Sequence, residues 1–105
     1  MGWFYLLLAA LFEMGWPLGL KLAQNSSLKL MWFAIAAAAM GVSGWFLFLA
    51  QKTIPIGTAY AVWTGIGAVG TFLIGILFFH DSANLWRVLS VFLIIIGIVG
   101  LKLAS

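Results

Sequence analysis

Four long apolar segments fill almost the whole chain, and this feature limits the possible folds more than any other. Of the 105 residues, 66% are hydrophobic and only 7% are charged. A soluble domain carries about a quarter charged residues, so this chain has too few charges to cover a water-facing surface. Because a bilayer core takes about 20 apolar residues per helix, the length allows four membrane spans in a single domain, 1–105, with no room for a soluble module.

Short polar clusters separate the apolar segments. The clusters are Gln24 to Ser27, Gln51 to Thr53 with Pro55, and His80 to Ser82 with Asn84. The loops are too short to skip a neighbouring helix, so an all-α, up-down-up-down topology is expected. Asn84 or Ser82 is suited to cap the last helix. The predicted helices cover residues 3–22, 29–51, 57–79 and 85–103.

The remaining polar residues exclude several classes of function. The chain has no cysteine, so disulfides and thiol chemistry are excluded. One His and two acids are too few for a structural metal site, and we expect neither a cofactor nor an enzyme. The five Lys/Arg residues do not cluster, which argues against a nucleic-acid partner. The first segment lacks a basic leader and is not expected to be a cleaved signal.

The basic residues divide almost evenly between the two ends of the predicted helices. Lys52 and Lys102 lie at the same end as the amino terminus, and Lys21, Lys29 and Arg87 lie at the other. The positive-inside rule needs a clear Lys/Arg excess on one side to fix the orientation. Here the excess is almost nil. We therefore expect insertion in both orientations, and such a population can pair antiparallel.

Glu13 is an acid about ten residues from either end of the first span, hence near the bilayer centre. An ionised carboxylate at this depth costs several kcal/mol unless it is partnered, so it favours a bound proton or a bound cation. Exchange between the two is the minimum chemistry for coupling proton entry to cation exit. Alternatively, Lys21, two turns along the same helix, neutralises the acid, although Lys21 can also extend to water.

Two residues beside Glu13 alter its surroundings. Trp16 follows by three residues on the same helix face, where its indole N–H can donate to the carboxylate and its ring can face a cation. Alternatively, Trp16 is an ordinary membrane-interface tryptophan, although other tryptophans fit the interface better: Trp3, Trp32, Trp45 and Trp86. Pro17 removes the N–H that would bond the Glu13 carbonyl, which either frees an acceptor or only kinks the helix.

The second and third predicted helices carry further hydrogen-bonding groups. Ser43 shares a helical stripe with Ala36, Met40 and Leu47. Its hydroxyl can bond a helix carbonyl or reach Glu13. Tyr60 and Trp63 lie three residues apart on one face of the third helix, either as site residues or as core.

Small residues on the last three helices permit close helix contacts. Three glycines within six residues of the third helix weaken it by up to about 1 kcal/mol each, so they indicate either tight packing or a bend. We expect packing within one subunit as well as a dimer seam, which we assign to the fourth helix. The small residues are Ala34, Ala38, Gly41, Gly65, Gly67, Gly70, Gly97 and Gly100.

The residues singled out above resemble the small multidrug resistance family. The resemblance covers the whole chain and is carried by Glu13, by the run 55–67 (PIGTAYAVWTGIG) and by Gly97. It implies an antiparallel, dual-topology homodimer in a bacterial-type inner membrane that exchanges protons for a small cationic substrate. Both Glu13 carboxylates would line one shared pocket, which opens to one side at a time.

Within that family the chain is similar to the guanidinium-exporting branch. The similarity is carried by the run 13–16 (EMGW), by the run 100–102 (GLK) and by Met40, where the quaternary-ammonium branch usually has Tyr. It implies that Trp16, Ser43, Tyr60 and Trp63 surround the acid. Ala10 and Pro17 depart from the family pattern, and both are expected at the pocket wall.

We therefore expect a proton-coupled exporter of guanidinium or small substituted guanidinium cations. Planar guanidinium has N–H donors all round and a stackable face, which suit carboxylates, hydroxyls and indoles. Three alternatives stay open: a quaternary-ammonium multidrug exporter of the same family, a non-transporting membrane assembly subunit in which Glu13 only pairs helices, and a passive cation channel.

Overall fold

The computed structural model describes residues 1–104 and contains four α-helices within that range. Each helix is long and apolar enough to cross a bilayer, so the prediction of a four-span, all-α membrane protein is confirmed. The bounds lie within two residues of the ranges expected from the sequence. The helices are α1 (Gly2–Gln24), α2 (Lys29–Ala50), α3 (Ile56–Phe79) and α4 (Leu85–Ala104).

The connection between α3 and α4 is a tight turn with specific hydrogen bonds. His80 follows α3 in the left-handed conformation (φ 59°, ψ 30°), which reverses the chain direction. The backbone N–H of Asp81 then donates to the carbonyl of Gly75 at 3.1 Å. The side-chain oxygen of Asn84 accepts from the backbone N–H of Arg87 at 3.0 Å, so Asn84 caps α4. This turn therefore fixes Asp81 against the end of α3.

The four helices form an open layer and not a closed bundle. α1 packs against both α2 and α3, whereas α4 packs chiefly against α3. The Cα atoms extend over 45 × 35 × 16 Å, and the smallest dimension accommodates at most two packed helices, whose axes lie about 8–10 Å apart. No residue of α4 is buried within the described part of the chain. Both faces of the layer thus require lipid or a second chain.

Glycines of α1 bring α2 close. A Cβ built on Gly19 would lie 3.1 Å from the Cβ of Ala36, and one built on Gly15 would lie 3.1 Å from the Cβ of Ala39. Gly15 and Gly19 have the four-residue spacing of small residues that permits tight helix pairs in membranes, a pattern missed in the sequence analysis. Gly41, by contrast, has no atom within 4 Å of such a Cβ.

The glycines of α3 pack against both of its neighbours. Gly65 faces Ile98 of α4, and Gly67 and Gly70 face the side chains of Glu13 and Met14 on α1. α3 is a continuous helix through this segment, so the glycines here permit close packing. Gly97 of α4 faces open space, with no atom within 4 Å. Its expected role in a dimer seam stays a prediction.

Replacement of Gly19 by Leu should separate α1 from α2. The new side chain meets both the backbone and the side chain of Ala36, and overpacking of this kind costs about 1–3 kcal/mol. Gly44→Leu on α2 is the matched control, because no atom lies within 4 Å of its Cβ position. Thermal unfolding in detergent, followed by circular dichroism, measures the difference. Equal midpoints for the two variants would contradict this packing.

Candidate functional site

The Glu13 carboxylate is only half satisfied by hydrogen bonds. Its Oε1 atom accepts from the indole N–H of Trp16 at 2.7 Å, the contact expected from their three-residue spacing. Its Oε2 atom is buried and has no hydrogen-bond partner among residues 1–104. A buried carboxylate oxygen without a donor is unfavourable, so this atom can be satisfied by a proton or by a cation with N–H donors. Lys21 bonds neither Glu13 oxygen and lines a different cleft together with Asp81, so the described contacts do not support its neutralising Glu13.

Gly67 determines how closely α3 approaches the acid. A Cβ built on Gly67 would lie 2.6 Å from Cγ of Glu13. Any residue larger than glycine at this position would therefore push the Glu13 side chain away from α3. It would also lie 4.0 Å from the carbonyl oxygen of Ala10. Ala10 is fully buried, so it belongs to the α1–α3 contact beneath the acid. The stem of Glu13 is thereby held in a slot between two helices.

A cleft of about 220 Å³ opens beside the carboxylate, and we name it the inner cleft. One water takes about 30 Å³ in the liquid, so the space is sufficient for a small organic cation. Pro17 lines this cleft, while α1 continues as a helix through it. The lining residues are Glu13, Pro17, Thr64, Gly67, Ala68 and Thr71.

A second hydrogen-bonded group connects three helices next to the site. Ser43 of α2 is fully buried, and its hydroxyl donates to the carbonyl of Ala9 on α1 at 2.6 Å. The same oxygen accepts from the indole N–H of Trp63 on α3 at 2.8 Å. Ser43 therefore bonds a carbonyl of a neighbouring helix and does not reach Glu13. We name these three residues the Ser43 node.

Two predicted site residues lie on the outer surface of the subunit. Tyr60 is 57% exposed, and its ring packs against Trp63 with centroids 5.5 Å apart. Met40 is 49% exposed. Within one subunit, therefore, Trp16 contacts Glu13 directly, Ser43 and Trp63 form the adjoining node, and Tyr60 and Met40 do not enter the inner cleft.

Sequence reasoning missed part of the cleft wall. Ala68 and Thr71 were not singled out, although they recur with Thr64 at four- and seven-residue spacing along one face of α3. That periodicity was the available signal. Residues 1–104 contain no group of three or more His, Cys, Asp or Glu side chains that could hold a metal ion.

Comparison with known proteins identifies relatives along the whole chain. The family model described as Small Multidrug Resistance protein matches residues 1–94. A guanidinium exporter of Yersinia pseudotuberculosis is 50% identical over 105 residues, which cover all of both chains. Guanidinium exporters of Proteus vulgaris and Escherichia coli K12 are 50% and 48% identical over 105 residues, covering all of this chain and 100% and 99% of theirs.

Ser43→Ala should destabilise the subunit by about 1–3 kcal/mol, because it leaves the indole N–H of Trp63 and the carbonyl of Ala9 without their partner. Ser90→Ala is the matched control. The Ser90 hydroxyl bonds only the Trp86 carbonyl of its own helix, on the exposed surface of α4. Unfolding in denaturant, followed by tryptophan fluorescence, compares the two. A larger loss from Ser90→Ala would contradict the importance of the node.

Proposed function

The chain belongs to the Small Multidrug Resistance family, and from this premise we propose that it exports guanidinium or small substituted guanidinium cations. It is a multi-pass protein of the inner membrane with four spans in the described residues. The observation that carries the proposal is the buried, unpartnered Oε2 atom of Glu13 beside the inner cleft. Relatives named guanidinium exporters at about half identity over their full length support the choice of cation.

The chemistry of the inner cleft favours a cation that donates hydrogen bonds. Guanidinium carries N–H donors in its plane, one of which can satisfy Oε2, and charge-assisted bonds of this kind are the strong ones. The hydroxyls of Thr64 and Thr71 offer further polar contacts at the wall. A tetraalkylammonium has no N–H and would leave the buried oxygen without a donor. The site would therefore discriminate against tetraalkylammonium because binding it leaves the buried Oε2 atom of Glu13 without a hydrogen bond.

The working unit in this proposal is an antiparallel homodimer. An open layer in which no described residue of α4 is buried, and in which Tyr60 and Met40 face outward, supports a partner that covers one face. The basic residues are almost evenly divided between the two membrane sides, with Lys52 and Lys102 on one side and Lys21, Lys29 and Arg87 on the other. Because the division is so even, neither orientation of the subunit is strongly preferred. A second copy in reverse orientation would bring two Glu13 side chains toward one pocket.

Transport would proceed by competition at these two acids. Deprotonated Glu13 binds the cation, the two subunits exchange shapes, and protonation from the opposite side releases the cargo. A carboxyl that carries a proton has lost the negative charge needed for charge-assisted bonds with the cation, so proton and cation occupancy exclude one another. Such exclusion would couple the export of cations to the entry of protons and would limit uncoupled leak.

Guanidinium binding to the purified wild-type protein should weaken as the pH falls, because protons occupy the carboxylates that the cation needs. One competing proton raises the apparent Kd by about tenfold per pH unit once the acid is mostly protonated. Calorimetric titration across pH measures the change. Glu13→Asp should keep the pH dependence, whereas Glu13→Gln should lose measurable binding. Wild-type affinity without pH dependence in Glu13→Gln would overturn the mechanism.

Purified protein in liposomes should carry guanidinium against a proton gradient and should carry tetraethylammonium far more slowly, because only the first cation donates to Oε2. Transport currents from these liposomes, adsorbed on a solid-supported membrane, measure the flux of each cation. Preferred tetraethylammonium flux would establish the multidrug alternative instead. Absence of any flux would indicate an assembly subunit, and cation flux that ignores the proton gradient would indicate a channel.

A further inference from the structure

The second of the two acids in this chain, Asp81, lies on the same groove as Glu13. A second cleft of about 210 Å³ lies between the ends of α1 and α3, and we name it the outer cleft. Together with apolar side chains it is lined by Pro17, Lys21, Thr71, Gly75 and Asp81. Pro17 and Thr71 also line the inner cleft, so the two clefts adjoin along one α1–α3 groove.

The groove leads from the middle of the membrane toward its boundary. Lys21 follows Glu13 by eight residues on α1, which corresponds to about 12 Å along the helix axis. Asp81 lies beyond the end of α3 and is exposed. Its charge is thus available to ions in water, while its cleft continues toward the buried carboxylate. Low-dielectric walls of such a passage concentrate the field of a charge at its entrance.

The position of Asp81 is fixed by the fold. Its backbone N–H donates to the Gly75 carbonyl, and a Cβ built on Gly75 would collide with its Oδ2 atom. The negative charge itself does not stabilise α3, because the C-terminal end of a helix dipole disfavours an anion. The fold therefore holds a carboxylate over the outer cleft, next to a helix end that disfavours its charge.

We propose that Asp81 attracts the cation into the α1–α3 groove on its way to Glu13. Lys21, which lines the same outer cleft, opposes it, so the two charges set the entry rate from opposite directions. This inference rests on the proposed function. If two subunits pair antiparallel, each side of the membrane has one Asp81 at an outer cleft.

The test compares initial guanidinium uptake into liposomes for the wild type and three variants. Asp81→Asn should raise KM about three- to tenfold with kcat unchanged, since steering acts on encounter and not on the transport step. Lys21→Gln should lower KM, and Asp81→Glu should behave as wild type because it keeps the charge. Both shifts should shrink when the salt concentration rises from about 10 mM to about 0.5 M, because ions screen the field.

The variants also separate steering from a structural role. Asp81→Asn should unfold at or above the wild-type temperature, because the unfavourable charge at the end of α3 is gone. A fall in kcat alone, a KM shift that salt leaves unchanged, or an equal defect in Asp81→Glu would overturn the inference. If the wild type carries guanidinium and Asp81→Asn matches it at low salt, only this inference fails. If the wild type carries no guanidinium, the proposed function fails with it.

Discussion

The close approach of α3 to α1 at Gly67 is the contact on which the site depends. The absence of a side chain at Gly67 lets the stem of Glu13 lie between two helices, with one oxygen bonded to Trp16 and the other left without a donor. A wider separation of α1 and α3 would admit lipid or water beside Glu13, and its Oε2 atom would then no longer be buried without a donor. Helix packing of this kind depends on small residues because lipid supplies no hydrophobic drive between helices. The chemistry of the acid is thus set by packing.

The same groove joins both carboxylates of the chain. Thr71 and Pro17 separate the buried acid from the exposed one, and every other titratable side chain among residues 1–104 lies off the two clefts except Lys21. A membrane protein with so few charges has little else with which to choose an ion. Because the helices form an open layer, the α1–α3 groove and the outward faces of α3 and α4 are accessible to a second chain.

The sequence was sufficient for the spans and for the local partner of the acid, but it did not predict how the helices are rotated. Hydropathy located four helices, and the three-residue spacing placed Trp16 on Glu13. In lipid, however, inner and outer faces are both apolar, so periodicity says little about which face packs. For close helix contacts on α2, Ala34, Ala38 and Gly41 were chosen, while the buried residues are Ala36 and Ser43 of the neighbouring stripe. Likewise Tyr60 faces outward, although Trp63 three residues later is hydrogen-bonded inside.

The Ser43 node has a mechanical consequence. Its hydroxyl is the point at which side-chain hydrogen bonds between α1, α2 and α3 meet in the described chain. Because α1, α2 and α3 are hydrogen-bonded through one buried oxygen, they resist sliding past one another. α4 is attached through its packing on α3 and through the Lys102 ammonium, which lies 4.3 Å from the centroid of the Trp3 ring. The subunit therefore has three helices joined by buried hydrogen bonds around the acid and a fourth helix held mainly by side-chain packing.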